Sequence, residues 1–134
     1  MDIIVPYSIR KKEFGGAVPD EAQKIFGKIK EKPDLAETIS LKGLPARTTL
    51  HKFYATSDGG HRRLLFFCRR PQADPKLGDS DEWVLLFYRN KGDLVGDNMS
   101  RKNPEFSKQF WNRMLSAIDD VASDTPSTPR CETF

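Results

Sequence analysis

The sequence predicts an α+β domain: a small antiparallel sheet packed by two N-terminal helices and a C-terminal helix, in the order β-α-α-β-β-β-α. Three observations carry this reading. Ala22, Ile25, Phe26 and Ile29 recur at the spacing of one helix face. Between Thr48 and Arg89 lie three segments rich in β-branched, aromatic and aliphatic residues, separated by polar stretches with Gly, Pro and Asp. A second helical stripe, Phe106, Phe110, Met114, Ala117 or Ile118, and Val121, follows them. A short helix-like segment precedes the strands, and hairpin-length links between strands favour antiparallel pairing with the helices set to one side.

In chain order, Ile3-Ile4-Val5 is a short strand, with Pro6 marking an edge or an end. Gly15-Gly16 breaks the chain. Pro19 then suits the first turn of a helix over 19–32, with Asp20 and Glu21 where the dipole favours anions, and Pro33 stops it. A second helix is expected from Asp34 to about Ser40, burying Leu35, Ala36 and Ile39 before Gly43 and Pro45. Thr48–Ala55 reads as a strand, Ser57-Asp58-Gly59-Gly60 as a turn, and His61–Arg70 as the returning strand. The unbroken run Leu64-Leu65-Phe66-Phe67-Cys68 indicates a strand buried on both faces. Residues 71–81 form a polar loop, and Glu82–Arg89 a third strand. Asn103-Pro104-Glu105 opens the last helix as N-cap and first-turn proline. One domain over 1–122 and a flexible polar tail over 123–134 are expected.

The 134 residues suffice for one core, and nine Phe, three Tyr and two Trp supply it. No apolar run approaches membrane-spanning length and no secretory leader is recognised, so a cytoplasmic location without membrane association is expected. Cys68 sits inside an apolar run and Cys131 in a polar segment. They suggest neither a disulfide framework nor a metal site, and no cofactor is expected. The net charge is only +3, but residues 45–102 hold 11 Lys and Arg against 7 Asp and Glu, together with both histidines. Basic groups gathered on one surface bind phosphates by releasing counterions; scattered ones do not.

Three strings carry a family likeness: Leu50-His51-Lys52-Phe53-Tyr54, then Gly60-His61-Arg62-Arg63-Leu64-Leu65-Phe66-Phe67, then Trp83–Lys91. In that order they resemble the RelE/ParE superfamily of bacterial toxins, and within it the HigB-like branch. The resemblance covers roughly residues 1–121. It implies a toxin of a toxin–antitoxin pair, usually a ribosome-dependent endoribonuclease that cuts mRNA without a metal, with a cognate antitoxin, mRNA and the ribosome as partners. Some members of the superfamily inhibit DNA gyrase and cut nothing.

Cleaving RNA through its own 2′-hydroxyl needs a base for the hydroxyl proton, cations for the charge developing at phosphorus, and an acid for the leaving 5′-oxygen. The resemblance places Lys52, Arg62, Arg89 and Lys91 among the catalytic cations, with His51 a candidate proton carrier. Arg63, His61, Arg69, Arg70 and Tyr88 are then candidate RNA contacts. Arg62 and Arg63 must point to opposite faces, so only one can join the cations, and the family spacing favours Arg62. The chain departs from many relatives in having no Tyr or His after Tyr88. The base must therefore come from His51, His61, Tyr54, Tyr88 or a lysine with depressed pKa. The plain alternative is that these basic residues are solvated strand ends that discourage edge pairing, and that Trp83, Phe87 and Tyr88 are packing residues. A gyrase inhibitor and a non-catalytic nucleic-acid or protein-binding module are the competing functional readings.

Overall fold

The computed structural model describes residues 1–39, 49–69, 82–91 and 104–134, with side chains from residue 108 onward in the last of these. The strands are β1 (Asp2–Pro6), β2 (Glu37–Ile39), β3 (Thr49–Thr56), β4 (Arg62–Arg69), β5 (Glu82–Asn90) and β6 (Cys131–Thr133). The helices are α1 (Tyr7–Phe14), α2 (Asp20–Glu31) and α3 (Pro104–Ser123), with a 3-10 turn at Pro33–Leu35. The six strands form one sheet in the order β2-β3-β4-β5-β1-β6, antiparallel except where β1 runs parallel to β5. The architecture is α+β with a mostly antiparallel open sheet.

Register sorts side chains between two faces, because cross-strand partners share a face and neighbours along a strand do not. Phe66 and Phe87 are paired, and the Phe87 ring lies 6.2 Å from Phe110 of α3. Helix α3 therefore covers that face, burying Phe110, Met114 and Ala117. The opposite face carries Ile3, Val5, Leu65 and Tyr88. There α2 packs, with Phe26 and Phe134 rings 5.5 Å apart and Glu21 reaching Arg63 and Tyr88. The helices thus lie on both sides of the sheet, not one. Ala22, Ile25, Phe26 and Ile29 are all buried, as the α2 spacing predicts.

Three elements differ from the sequence reading. Helix α1 directly follows β1, and only Ile9 of its residues is buried, so no apolar stripe announces it. Tertiary contacts hold it instead. Asp120 of α3 accepts from the Ser8 backbone N–H at 2.9 Å and the Ser8 hydroxyl at 2.6 Å, capping a helix whose N-cap residue, Pro6, has no polar side chain. Gly15 closes α1 with φ of 70°, its N–H donating to the Lys11 carbonyl at 2.9 Å.

The helix expected over 34–40 is instead the 3-10 turn and β2 as far as residue 39; Ser40 lies outside the described residues. Leu35, Ala36 and Ile39 have helical spacing, but pairing of Glu37, Thr38 and Ile39 with Lys52, His51 and Leu50 decides for the strand. Leu35, expected to be buried, is 62% exposed.

The segment expected as a tail from 123 contributes β6. Val5 pairs with Glu132, Pro6 with Cys131, and the backbones of Ile3 and Phe134 exchange hydrogen bonds of 2.9 and 2.8 Å. Polarity misleads here because β6 covers an edge and needs few apolar residues of its own.

The tightest polar junction is Glu13. Its carboxylate is fully buried and accepts from the Tyr88 backbone N–H at 3.1 Å, from Arg89 Nη2 at 3.2 Å and from Arg113 Nη1. Arg89 Nε lies 2.9 Å from the same carboxylate, though off the line of a hydrogen bond. Helix α1 is thereby tied to both β5 and α3. Removing one partner of a buried ion pair strands the others, so Glu13→Ala is expected to lower unfolding free energy by about 3 kcal/mol, read by urea denaturation. A loss under about 1 kcal/mol would refute this role. Phe134→Ala is expected to cost about 1–2 kcal/mol in the same assay, whereas a frayed terminus would give no change.

Candidate nucleic-acid interface

Three rows of side chains cross the α3-bearing face, the last of them running under the helix at Phe87. The first joins Thr56, Arg62 and Lys91, Lys91 donating its N–H to the Arg62 carbonyl at 3.0 Å. Next come Tyr54, Leu64 and Arg89, then Glu37, Lys52, Phe66 and Phe87. Successive rows on one face are about 7 Å apart, two residues of strand.

Tyr54 is the centre of the cationic part. Its ring is 45% exposed, with Lys52 Nζ 5.1 Å and Lys91 Nζ 5.6 Å from the ring centroid. Beside it opens a pocket of about 210 Å³ whose lining includes Tyr54, Arg62 and Lys91. Arg62 and Lys91 are exposed, and among the described residues neither has a carboxylate partner within ion-pair distance. Lys52 is more enclosed, its Nζ 3.3 Å from Glu37. Partial burial opposes its charge, but the Glu37 carboxylate and the Tyr54 hydroxyl outweigh burial and raise its pKa. Lys52 is therefore a fixed cation, unsuited to act as a base.

The other expected site residues fall elsewhere. Arg89 shares the face but spends its guanidinium on Glu13, and that group of two arginines and one glutamate keeps a single net positive charge. His51 is one residue from Lys52 and so lies on the opposite face. It stacks on Trp83 with centroids 4.4 Å apart, and Thr49 Oγ1 is 3.0 Å from its Nε2. Burial, reinforced by nearby Arg69, lowers its pKa. Arg63 shares that α2-bearing face and donates to Glu21 at 2.6 Å.

Tyr88, on the same face, donates its hydroxyl to Glu21 at 2.7 Å. Burial and that carboxylate push its pKa far above the ordinary phenol range. The hydrogen bonds from Arg63 and Tyr88 in turn lower that of Glu21. Arg69 pairs in register with Thr49 and Trp83 at the far end of the α2-bearing face. His61 belongs to the hairpin turn: its N–H donates to Ser57 Oγ at 3.1 Å, and its carbonyl accepts from Ser57 N–H at 2.8 Å. Gly60, with φ of 82°, makes that turn possible. Arg70 lies outside the described residues. Burial pushes the Cys68 thiol up to about 11, so it is no nucleophile.

Sequence reasoning missed Glu37. It was assigned to a helix, where its register with Lys52 could not be seen; as a strand residue it puts a carboxylate on the cationic face. Among the described residues, the surroundings of Tyr54 thus combine Lys52, Arg62 and Lys91 with a half-exposed aromatic ring and the Glu37 carboxylate, which suits a sugar–phosphate chain with an unpaired base.

No protein-family model matches the chain, and no curated protein or solved structure does so either. No helix among the described residues is long and apolar enough to cross a membrane.

The placement of His51 makes a paired prediction. A histidine whose folded pKa is depressed contributes its full stability above its unfolded value, near 6.5. That stability is lost as pH falls from there toward the folded value. His51→Gln is expected to reduce the drop in melting temperature between neutral and mildly acidic pH. If instead the variant showed the same drop, the stacked neutral ring would not be the source.

Proposed function

We propose that the chain is a RelE/HigB-like toxin domain that binds single-stranded RNA on the face around Tyr54 and cleaves it through its own 2′-hydroxyl. The observation that supports this reading is the grouping of Lys52, Arg62 and Lys91, from three adjacent strands, around one exposed tyrosine. The resemblance in sequence adds to it. Such a face takes a flexible strand whose base can leave the stack more readily than it takes a duplex.

In the proposed reaction Lys52, Arg62 and Lys91 balance the negative charge building on the phosphoryl oxygens. The 2′-oxygen attacks phosphorus as its proton passes to Glu37, the carboxylate of that face. A carboxylate accepts a proton in the form it ordinarily has at neutral pH, whereas a phenol must first lose its own. The P–O5′ bond breaks, and the 5′-oxygen takes a proton from a neighbouring acid or water. The products are a 2′,3′-cyclic phosphate and a 5′-hydroxyl end. Tyr54 stacks on the flanking base. An open, shallow site suits mRNA held extended by another body such as the ribosome, and an antitoxin with an acidic segment would neutralise the same cations.

Purified protein is to be incubated with mRNA, with and without translating ribosomes, and transcript ends mapped. Cleavage leaving cyclic-phosphate ends is expected, falling by about 10²-fold in Lys52→Ala and Arg62→Ala. His51→Gln, altered on the opposite face, is expected to cut as the parent does. Intact RNA in every condition would overturn the reading, and arrested gyrase supercoiling alongside it would favour the non-nucleolytic kind of toxin.

A further inference from the structure

Glu37 does more on this face than accept a proton. It is the direct cross-strand neighbour of Lys52, its carboxylate 3.3 Å from Nζ. The carboxylate is 64% exposed while the lysine is only 24% exposed. The lysine is thus held by its strand and by the Tyr54 ring, while the acid can swing away into solvent. Arg62 and Lys91 have no such companion among the described residues, so within that set one of the three cations is occupied and two are open.

We infer that Glu37 is an internal stand-in for a phosphate, covering Lys52 until a phosphodiester of the bound strand displaces it. This rests on the nucleic-acid reading above and adds a specificity element to it. A lone anion must compete with an acid already in place. A chain gripped at the same time by Arg62 and Lys91 presents its next phosphate to Lys52 at high effective concentration and wins. The face therefore selects polymeric phosphodiester over free phosphate. Displacement also releases the carboxylate beside the bound sugar, where the proton is to be taken.

Binding is tested without cleavage on a fluorescent 2′-deoxy oligonucleotide, which lacks the attacking hydroxyl, by anisotropy across a salt series. Removing an exposed competing carboxylate should tighten binding by about two- to fivefold, the strength of a surface ion pair, in Glu37→Gln. Lys52 meets a phosphate in parent and variant alike, so the strand sheds the same condensed counterions and the slope of log affinity on log salt should stay the same. In a Lys52→Met background the same Glu37 change should alter neither quantity. Equal affinities for parent and Glu37→Gln would overturn the inference. So would an equal gain in the Lys52→Met background, which would mark a diffuse effect of net charge. In either case an oligonucleotide that still binds leaves the wider reading standing. Failure of parent and variant alike to bind at low salt would overturn both.

Discussion

The buried carboxylate of Glu13 is the interaction on which the arrangement turns. It meets a free backbone N–H of β5 where β1 has ended and cannot supply a partner, and it gathers two guanidiniums from β5 and α3. An unpaired donor or an unpaired charge at that depth would be costly, so the three elements are held to one geometry. The same contact settles the electrostatics of the candidate site. Arg89 lies in the right row to join the cations around Tyr54, and Glu13 withdraws it. What remains on the open part of the face is Lys52, Arg62 and Lys91.

Strand alternation does the rest of the sorting. His51 and Lys52 are adjacent in sequence, as are Arg62 and Arg63, and as are Tyr88 and Arg89; each pair is divided between the two faces. On the α2 side, His51 packs on Trp83, and Arg63 and Tyr88 share Glu21. Those groups are consumed by folding. On the other side α3 packs against β5 and β1, while Tyr54, Arg62 and Lys91 stay exposed and answer to solvent and ligand instead of to the core.

How much of this could be read from the sequence depended on where the determining contact lies. Helix α2 carries its own stripe of Ala22, Ile25, Phe26 and Ile29, and β3 to β5 carry apolar runs bounded by turn residues, so these elements were legible locally. Helix α1 was not, since Ser8 and Glu13 are held by Asp120 and Arg113, about a hundred residues away. Leu35, Ala36 and Ile39 have the spacing of a helix face, and only pairing with β3 makes residues 37–39 a strand. In the site, alternation alone divides Arg62 from Arg63, and the register puts Arg62 on the face of Lys52. The loss of Arg89 to Glu13 and the arrival of Glu37 beside Lys52 both required tertiary register.

The sheet order has a consequence for synthesis. Strand β1 is made before both of its neighbours, β5 and β6, which are completed some eighty and one hundred and thirty residues later along the chain. Until they emerge from the ribosome, Ile3, Ile4 and Val5 have no ladder to join, and Glu13 has neither arginine to meet. Contacts so distant along the chain close slowly. Nascent chains of this protein therefore reach the final sheet only after β6 has been made, and until then the β1 segment is apolar and exposed to chaperones and to other chains.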